Sequence, residues 1–195
     1  MVPGFLDKYT LSGFLDDNPL ILDGYDGYPS VVGSVEDFRP AKDDVFFCAM
    51  GNVGPRIKYT EMILSKGGQF DTFISPSAKI SFSASIGTGC FIWNNVVICS
   101  DTTLKDHVVC QNNVVVGHDT KIGMYSVLDE GVACCGFVTI GDRSAIHTGA
   151  KIAPGITLGS DIMVGIGSIV IRDVKDGKAV FGNPARELIS PANKS

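Results

Sequence analysis

Ile74, Ile80, Ile86, Ile92, Ile98, Leu104, Cys110, Val116, Ile122, Leu128, Cys134, Ile140, Ile146, Ile152, Leu158, Val164 and Val170 stand six residues apart, and every one is apolar. Four residues beyond each stands a small or β-branched residue, from Ala78, Ala84 and Cys90 through to Ser168 and Val174. The seventeen hexads occupy residues 74–175, more than half of a 195-residue chain. Six residues are too few for a helical repeat but suit one short strand and a turn. Such a unit cannot bury its apolar residue alone, so the units must stack into a solenoid.

A slower period supports the stacking. Gly follows the key aliphatic at Gly87, Gly123, Gly141 and Gly159, all spaced by 18 or its multiples, with Lys105 breaking the series. Asn95, Asn113, Gly131, Gly149 and Gly167 also step by 18. Asn and Gly tolerate positive φ, so this second series reads as a repeated corner. Three hexads therefore make one triangular coil, residues 18 apart lie above one another, and the chain builds between five and six coils.

Residues 1–73 follow a different pattern. Thr10–Phe14 reads as a strand that ends in the polar turn Leu15-Asp16-Asp17-Asn18-Pro19. Tyr28–Val32 is extended, Ser34–Phe38 a capped helical turn, Asp44–Met50 a buried strand, Pro55–Lys66 a helix closed by Gly67-Gly68, and Phe70–Ile74 a strand. Strand–helix–strand order argues a small parallel α/β unit.

Charge and composition narrow the partners. The net charge is −5 and no basic stretch suggests nucleic acid. The first seven residues lack the basic and apolar regions of a leader, and no apolar run approaches the ~18 residues of a membrane span. A soluble, cytoplasmic protein is expected. Of six Cys, Cys110 and Cys134 fall in the inward aliphatic slot and Cys90 in the small inward slot, so they read as reduced core fillers. Cys135 is expected to point outward beside Cys134. No CxxC pair suggests zinc, and no metal is expected.

Three His are available for acid–base chemistry, and the hexads separate them. His118 lies two residues past Val116, on the outside near a coil edge, with Asp119 next to it and Asp101 one coil below. Either carboxylate is a candidate to orient the imidazole. Gly136 falls one coil above His118, where a missing side chain leaves room and an amide N–H is a candidate oxyanion donor; a plain strand-edge glycine reads equally well. His107 and His147 fall on the other faces and read as surface residues, with a second reading for His147 in which it approaches a site across a trimer interface.

The hexads, together with Val164-Gly165-Ile166-Gly167-Ser168-Ile169-Val170 and Phe181-Gly182-Asn183-Pro184-Ala185-Arg186, resemble the hexapeptide-repeat acyltransferases. Gly13-Phe14-Leu15-Asp16-Asp17-Asn18, Gly51-Asn52 and Lys66-Gly67-Gly68 narrow the resemblance to sugar acyltransferases of the sialic acid O-acetyltransferase and nucleotide-amino-sugar N-acetyltransferase type. It implies a mainly β protein: a left-handed parallel β-helix over 74–175, a Rossmann-like α/β substrate domain over 1–73, and a C-terminal loop and tail over 176–195. About ten residues precede Gly13 and no GxGxxG occurs, so this first domain is expected to be truncated by one βα unit.

The resemblance further implies an acetyl-CoA-dependent homotrimer acting on a sugar in surface polysaccharide biosynthesis. His118 would be the base, Asp119 its polarising partner and the Gly136 amide the oxyanion donor. Gly136, Gly165, Asn183, Pro184, Ala185 and Arg186 would line the CoA groove between β-helices, with Arg172 and Lys178 as further phosphate partners. Asp16, Asp17 and Asn52 would contact the sugar nucleotide. Two other readings use the same scaffold. One is a non-catalytic scaffold or degraded paralogue; the other is a metalloenzyme like γ-class carbonic anhydrase, which needs three converging His.

Overall fold

The computed structural model describes residues 8–188. The leader reading of residues 1–7 and the end of the expected tail, 189–195, lie outside the described residues. From Phe73–Ile74 to Ile169–Val170 a two-residue strand recurs every six residues, and the strands stack into three parallel sheets. Thr103 lies opposite Lys121, Val109 opposite Val127 and Val115 opposite Ala133, each a step of 18. The parallel β-solenoid is therefore built as the periodicity predicts.

The first face carries Phe73–Ile74 and the strands above it, the second Lys79–Ile80 and its successors, the third Ser85–Ile86 and its successors. Every hexad aliphatic from Ile92 to Val170 is buried in one continuous core. Ile74 is exposed, because it belongs to the lowest coil and has no coil beneath it. The Asn and Gly corner series has positive φ throughout, from 56° at Asn95 to 64° at Gly167. Cys90, Cys110 and Cys134 are buried free thiols, while Cys135 points out. Burial raises the Cys90 thiol to about 11 and Cys134 to about 12, so both stay protonated.

The hexad rhythm slips once. Val174 pairs with Leu158 and Val180 with Val164, steps of 16 rather than 18. The turn after Val170 is two residues short, and Val174 takes the large inward slot rather than the small one. The Asp173 carboxylate accepts the Thr157 N–H at 2.8 Å and closes this tighter turn. The solenoid then continues into Ala179–Gly182, which folds back antiparallel to Ala185–Glu187. Asn183 and Pro184 form the tip of that hairpin.

The first unit contains β1 (Phe14–Leu15), β2 (Val31–Gly33), β3 (Val45–Phe46), α1 (Val53–Ser65) and β4 (Gln69–Phe70). β3 and β4 pair in parallel across α1, as strand–helix–strand order predicts. β1 and β2 form a separate parallel pair. Between the two pairs lies a cavity of about 810 Å³. One continuous sheet is therefore not seen among the described residues. With its edge open on this cavity, β3 is short and Val45 is exposed, against the buried strand expected over 44–50. The strand expected over 70–74 is two strands, because Phe73–Ile74 joins the solenoid rather than β4.

α1 starts two residues before Pro55, which is tolerated there because a first-turn N–H has no helical partner. It ends in a Schellman motif: the Gly67 N–H donates to Leu64 O at 2.9 Å and the Gly68 N–H to Ile63 O at 3.0 Å. Positive φ at Gly67 permits this. At the expected capped turn, Ser34 Oγ accepts the Asp37 N–H at 3.1 Å.

The unit packs on the first face. Phe73, Phe91, Val109 and Val127 point outward from that face and are buried against Phe47, Val53 and Trp93. Arg56, 1% exposed, reaches from α1 to donate from Nη2 to Tyr125 O, while its Nε and Nη1 have no hydrogen-bond partner among the described residues. His107 is 8% exposed, stacked flat on Tyr125 at 4.8 Å and edge-on to Phe70 at 5.3 Å. It is a seam residue rather than the surface residue expected, because the first unit covers its corner. No helix among the described residues is long and apolar enough to cross a membrane.

Candidate active site

His118 sits at the corner between the second-face strand Val115–Val116 and the third-face strand Lys121–Ile122. Val116 anchors the turn in the core, and the imidazole two residues on projects outward. Its Nδ1 lies 2.9 Å from Asp119 Oδ2. A carboxylate only accepts, so this contact places a proton on Nδ1 and leaves the Nε2 lone pair free to act as a base. Asp101 makes no hydrogen bond to the ring, and of the two candidate partners it is Asp119 that touches it.

Gly136 lies directly over the ring. A Cβ built on it would stand 2.5 Å from His118 Nε2 and 2.6 Å from Cε1. Gly117 is needed one coil below for a similar reason: its Cβ would meet the Gly136 nitrogen at 2.6 Å. Phe137 closes one side, edge-on to the imidazole at 5.0 Å, with φ of +60°. That conformation is uncommon for a bulky residue, but it is the regular turn position of this corner, shared by Asp101, Asp119 and Gly155.

The corner differs in how its amides are satisfied. At the third–first corner four turn amides are capped from the coil above: Thr88 N–H by Asp106 at 2.8 Å, Met124 N–H by Asp142 at 2.8 Å, Asp142 N–H by Ser160 at 3.1 Å and Ser160 N–H by Asp176 at 3.0 Å. Above Gly136 stands Pro154, which has no side-chain acceptor. The Gly136 N–H makes no hydrogen bond among the described residues, and the residue that carries it abuts the Nε2 edge of the imidazole. The corner thus holds a base and a free donor together, the two groups an acyl transfer requires.

The other predicted residues fall into two groups elsewhere. Asp16 and Asp17 border the cavity of the first unit, where Asp16 Oδ1 accepts the Asn18 N–H at 2.8 Å and Asp17 Oδ2 accepts the Tyr59 hydroxyl at 3.2 Å. Asn52 is the N-cap of α1 by position, makes no side-chain cap and does not line the cavity. Gly165 lies at the first–second corner, where a Cβ would strike the Phe181 ring. Asn183, Pro184, Ala185 and Arg186 form the terminal hairpin, and Arg186 Nη1 donates to its own neighbour Ala185 O at 3.0 Å. Lys178 Nζ is paired with Glu187 at 2.6 Å, while Arg172 is exposed. Within one protomer the second face separates His118 from Gly165.

Comparison with solved structures decides the family. The crystal structure of PerB from Caulobacter crescentus, in complex with CoA and GDP-perosamine, is 30% identical, with TM-score 0.82 over 90% of this chain and 84% of that one. The acetyltransferase domain of PglB from Neisseria gonorrhoeae FA1090 is 31% identical, with TM-score 0.87 over 94% and 89%. The chain belongs to the nucleotide-sugar acetyltransferases. It is thus an acyltransferase of a family whose acyl donor is acetyl-CoA. WeeI from Acinetobacter baumannii AYE is also similar, at 28% identity and TM-score 0.85 over 94% and 89%. No family model and no curated protein matches this acetyltransferase.

One pair in the acetyltransferase escaped the sequence reading. His147 Nδ1 lies 2.8 Å from Asp129 Oδ2, one coil below, and both are partly buried. The signal was present: an Asp stands 18 residues before a His.

Proposed function

We propose that this chain transfers the acetyl group of acetyl-CoA to an amino group or hydroxyl of a sugar or nucleotide-linked sugar, with His118 as general base. The observation that carries the reading is His118 Nε2, freed by the Asp119 contact and lying against Gly136, whose N–H is unpaired among the described residues. Nε2 removes the proton from the acceptor, whose nitrogen or oxygen attacks the thioester carbonyl. The Gly136 amide stabilises the oxyanion, and as the C–S bond breaks the departing thiolate takes the proton from Nε2, which releases CoA and restores the base. Donor and acceptor are held together, so no acyl-enzyme is needed.

PerB in complex with CoA and GDP-perosamine and the Neisseria domain in complex with acetyl coenzyme A support this choice of ligands. In this reading Gly136, Gly165, Asn183, Pro184, Ala185 and Arg186 line the acetyl-CoA groove. Asp16 and Asp17, at the mouth of the first-unit cavity, and Asn52 meet the sugar or its nucleotide. The reading includes a left-handed coil, a Rossmann-like unit over 1–73 followed by the β-helix over 74–175, a homotrimer, and a cytoplasmic role in surface polysaccharide synthesis. The test is CoA thiol release from acetyl-CoA across a panel of sugar nucleotides and free amino sugars. One acceptor should support turnover, and His118→Ala should lower kcat about 10²- to 10⁴-fold. Full activity in that variant refutes the assigned base.

A further inference from the structure

The outward residues of the three faces differ in kind. The third face shows Ser85, Thr103, Lys121, Thr139 and Thr157, all polar and exposed. The first face is covered over its lower coils by the chain's own α/β unit. The second face shows Val97, Val115 and Ala133 between Lys79 and Lys151, with Ile169 beyond them, and nothing among the described residues covers it. A mostly apolar sheet face left open beside a polar one is a surface for another copy of the chain.

The two corners that border this face are those that matter chemically. His118 with Asp119 lies on one edge and His147 with Asp129 on the other. If three copies set their second faces toward a common axis, each groove joins the His118 corner of one subunit to the His147 corner of the next. His147 is 29 residues beyond His118, which at 18 per coil is 1.6 coils, or about 8 Å along the axis at the usual strand spacing. It lies on the side toward Gly165 and the Asn183–Pro184 hairpin. A ligand with its acetyl end at His118 and its other end at that hairpin must pass it.

We infer that His147 is an acetyl-CoA-binding residue contributed across the subunit interface to the site of the neighbouring His118. The inference rests on the trimer and acetyl-CoA reading above. Asp129 accepts the Nδ1–H and fixes the ring, so Nε2 presents a lone pair at the groove. The pantetheine arm of acetyl-CoA carries amide N–H donors, and His147 Nε2 accepts one of them. It holds the donor and takes no part in the proton transfer at the acceptor.

His147→Ala should raise KM for acetyl-CoA about three- to tenfold, the range for one lost hydrogen bond, with kcat retained. Asp129→Asn should raise KM similarly while keeping the imidazole, because a carboxamide can accept through Oδ1 or donate through Nδ2 and so no longer fixes the tautomer. The deciding measurement mixes His118→Ala and His147→Ala chains, unfolded and reassembled together. Active sites then use only His118 of the His147→Ala chains, and at equal mixing about half of these have a neighbour with intact His147. A component with wild-type KM should appear that neither parent shows. Unchanged KM in His147→Ala overturns the inference. A raised KM with no wild-type component in the mixture overturns the interfacial placement. A wild type that neither consumes acetyl-CoA nor trimerises overturns the underlying reading, and that outcome is visible before any variant is made.

Discussion

His118 and Gly136 are eighteen residues apart in sequence and in contact in space: the imidazole occupies the volume that any side chain at 136 would need, with Nε2 2.5 Å from the position of a Cβ. Gly136→Ala therefore has to displace the ring or the backbone that carries the free amide. Since both reaction roles meet there, kcat should fall about 10²- to 10³-fold, the scale of losing one oxyanion donor. Thermal stability should change little, because His118 is exposed and can swing into solvent. A variant that keeps near-wild-type kcat would show that this close approach has no catalytic use.

Asp119 touches His118 only through Nδ1, at 2.9 Å. Asp119→Asn keeps the size but no longer dictates which nitrogen holds the proton. Both side chains are about half exposed, so solvent offers the ring other partners. The loss should therefore be smaller than for a buried triad carboxylate, about ten- to hundredfold in kcat with KM for acetyl-CoA unchanged. Steady-state kinetics on the variant separate the two constants, and a rise in KM alone would assign Asp119 to binding.

The solenoid was legible because its rule is one-dimensional. A coil of 18 residues turns sequence spacing into spatial stacking, and so His118, Asp119 and Gly136 fall together on sequence spacing alone. The slip at Val174 was hidden because Val suits both the small and the large inward slot, so composition could not reveal a turn two residues short. The burial of His107 is not legible in the hexads because it is completed by Phe70, outside the repeat, in addition to Tyr125 one coil above. The Asp129–His147 pair obeys the same 18-residue rule and is legible in the same way.

His107 links the first unit to pH. Burial pushes its imidazole below the usual value of 6.5, opposed by the charge of Asp106 and assisted by Arg56. The folded state thus binds a proton less readily than the unfolded chain. Stability from the neutral ring is full above about pH 6.5 and is lost as pH falls below it, where the unfolded chain protonates first. Melting temperature should fall from about pH 7.5 to about pH 5.5 by more in the wild type than in His107→Phe, which can still stack on Tyr125. Equal falls would mean that another group carries the acid sensitivity.

Phe91 joins the two parts of the chain. It points outward from the first face, stacks on Phe73 at 4.8 Å and meets Phe47 edge-on at 6.4 Å. It also lines the cavity bordered by Asp16 and Asp17. Phe91→Ala should cost about 3–5 kcal/mol locally, as other buried Phe truncations do. The solenoid core does not use this ring, so proteolysis should release the first unit while leaving the coils intact. Uniform protection of both parts would place their union elsewhere, in the Arg56–Tyr125 contact for example.

Val115 tests the uncovered face without touching the chemistry. It lies in the middle coils of the second face, 39% exposed, three residues before His118 but with its side chain on the flat of the sheet. Val115 pairs with Val97 below and Ala133 above, so the strand itself tolerates many residues at this outward position. A glutamate there remains solvated in an isolated protomer and costs little stability. In a three-copy assembly around this face, three such carboxylates would be brought together in an apolar interface, which is strongly unfavourable. Val115→Glu should therefore sediment as a monomer with a wild-type circular dichroism spectrum. Activity should fall with the loss of mass if the groove is shared between subunits. A variant that stays associated would exclude the second face as the interface, and one that dissociates yet keeps full activity would confine the whole site to a single chain.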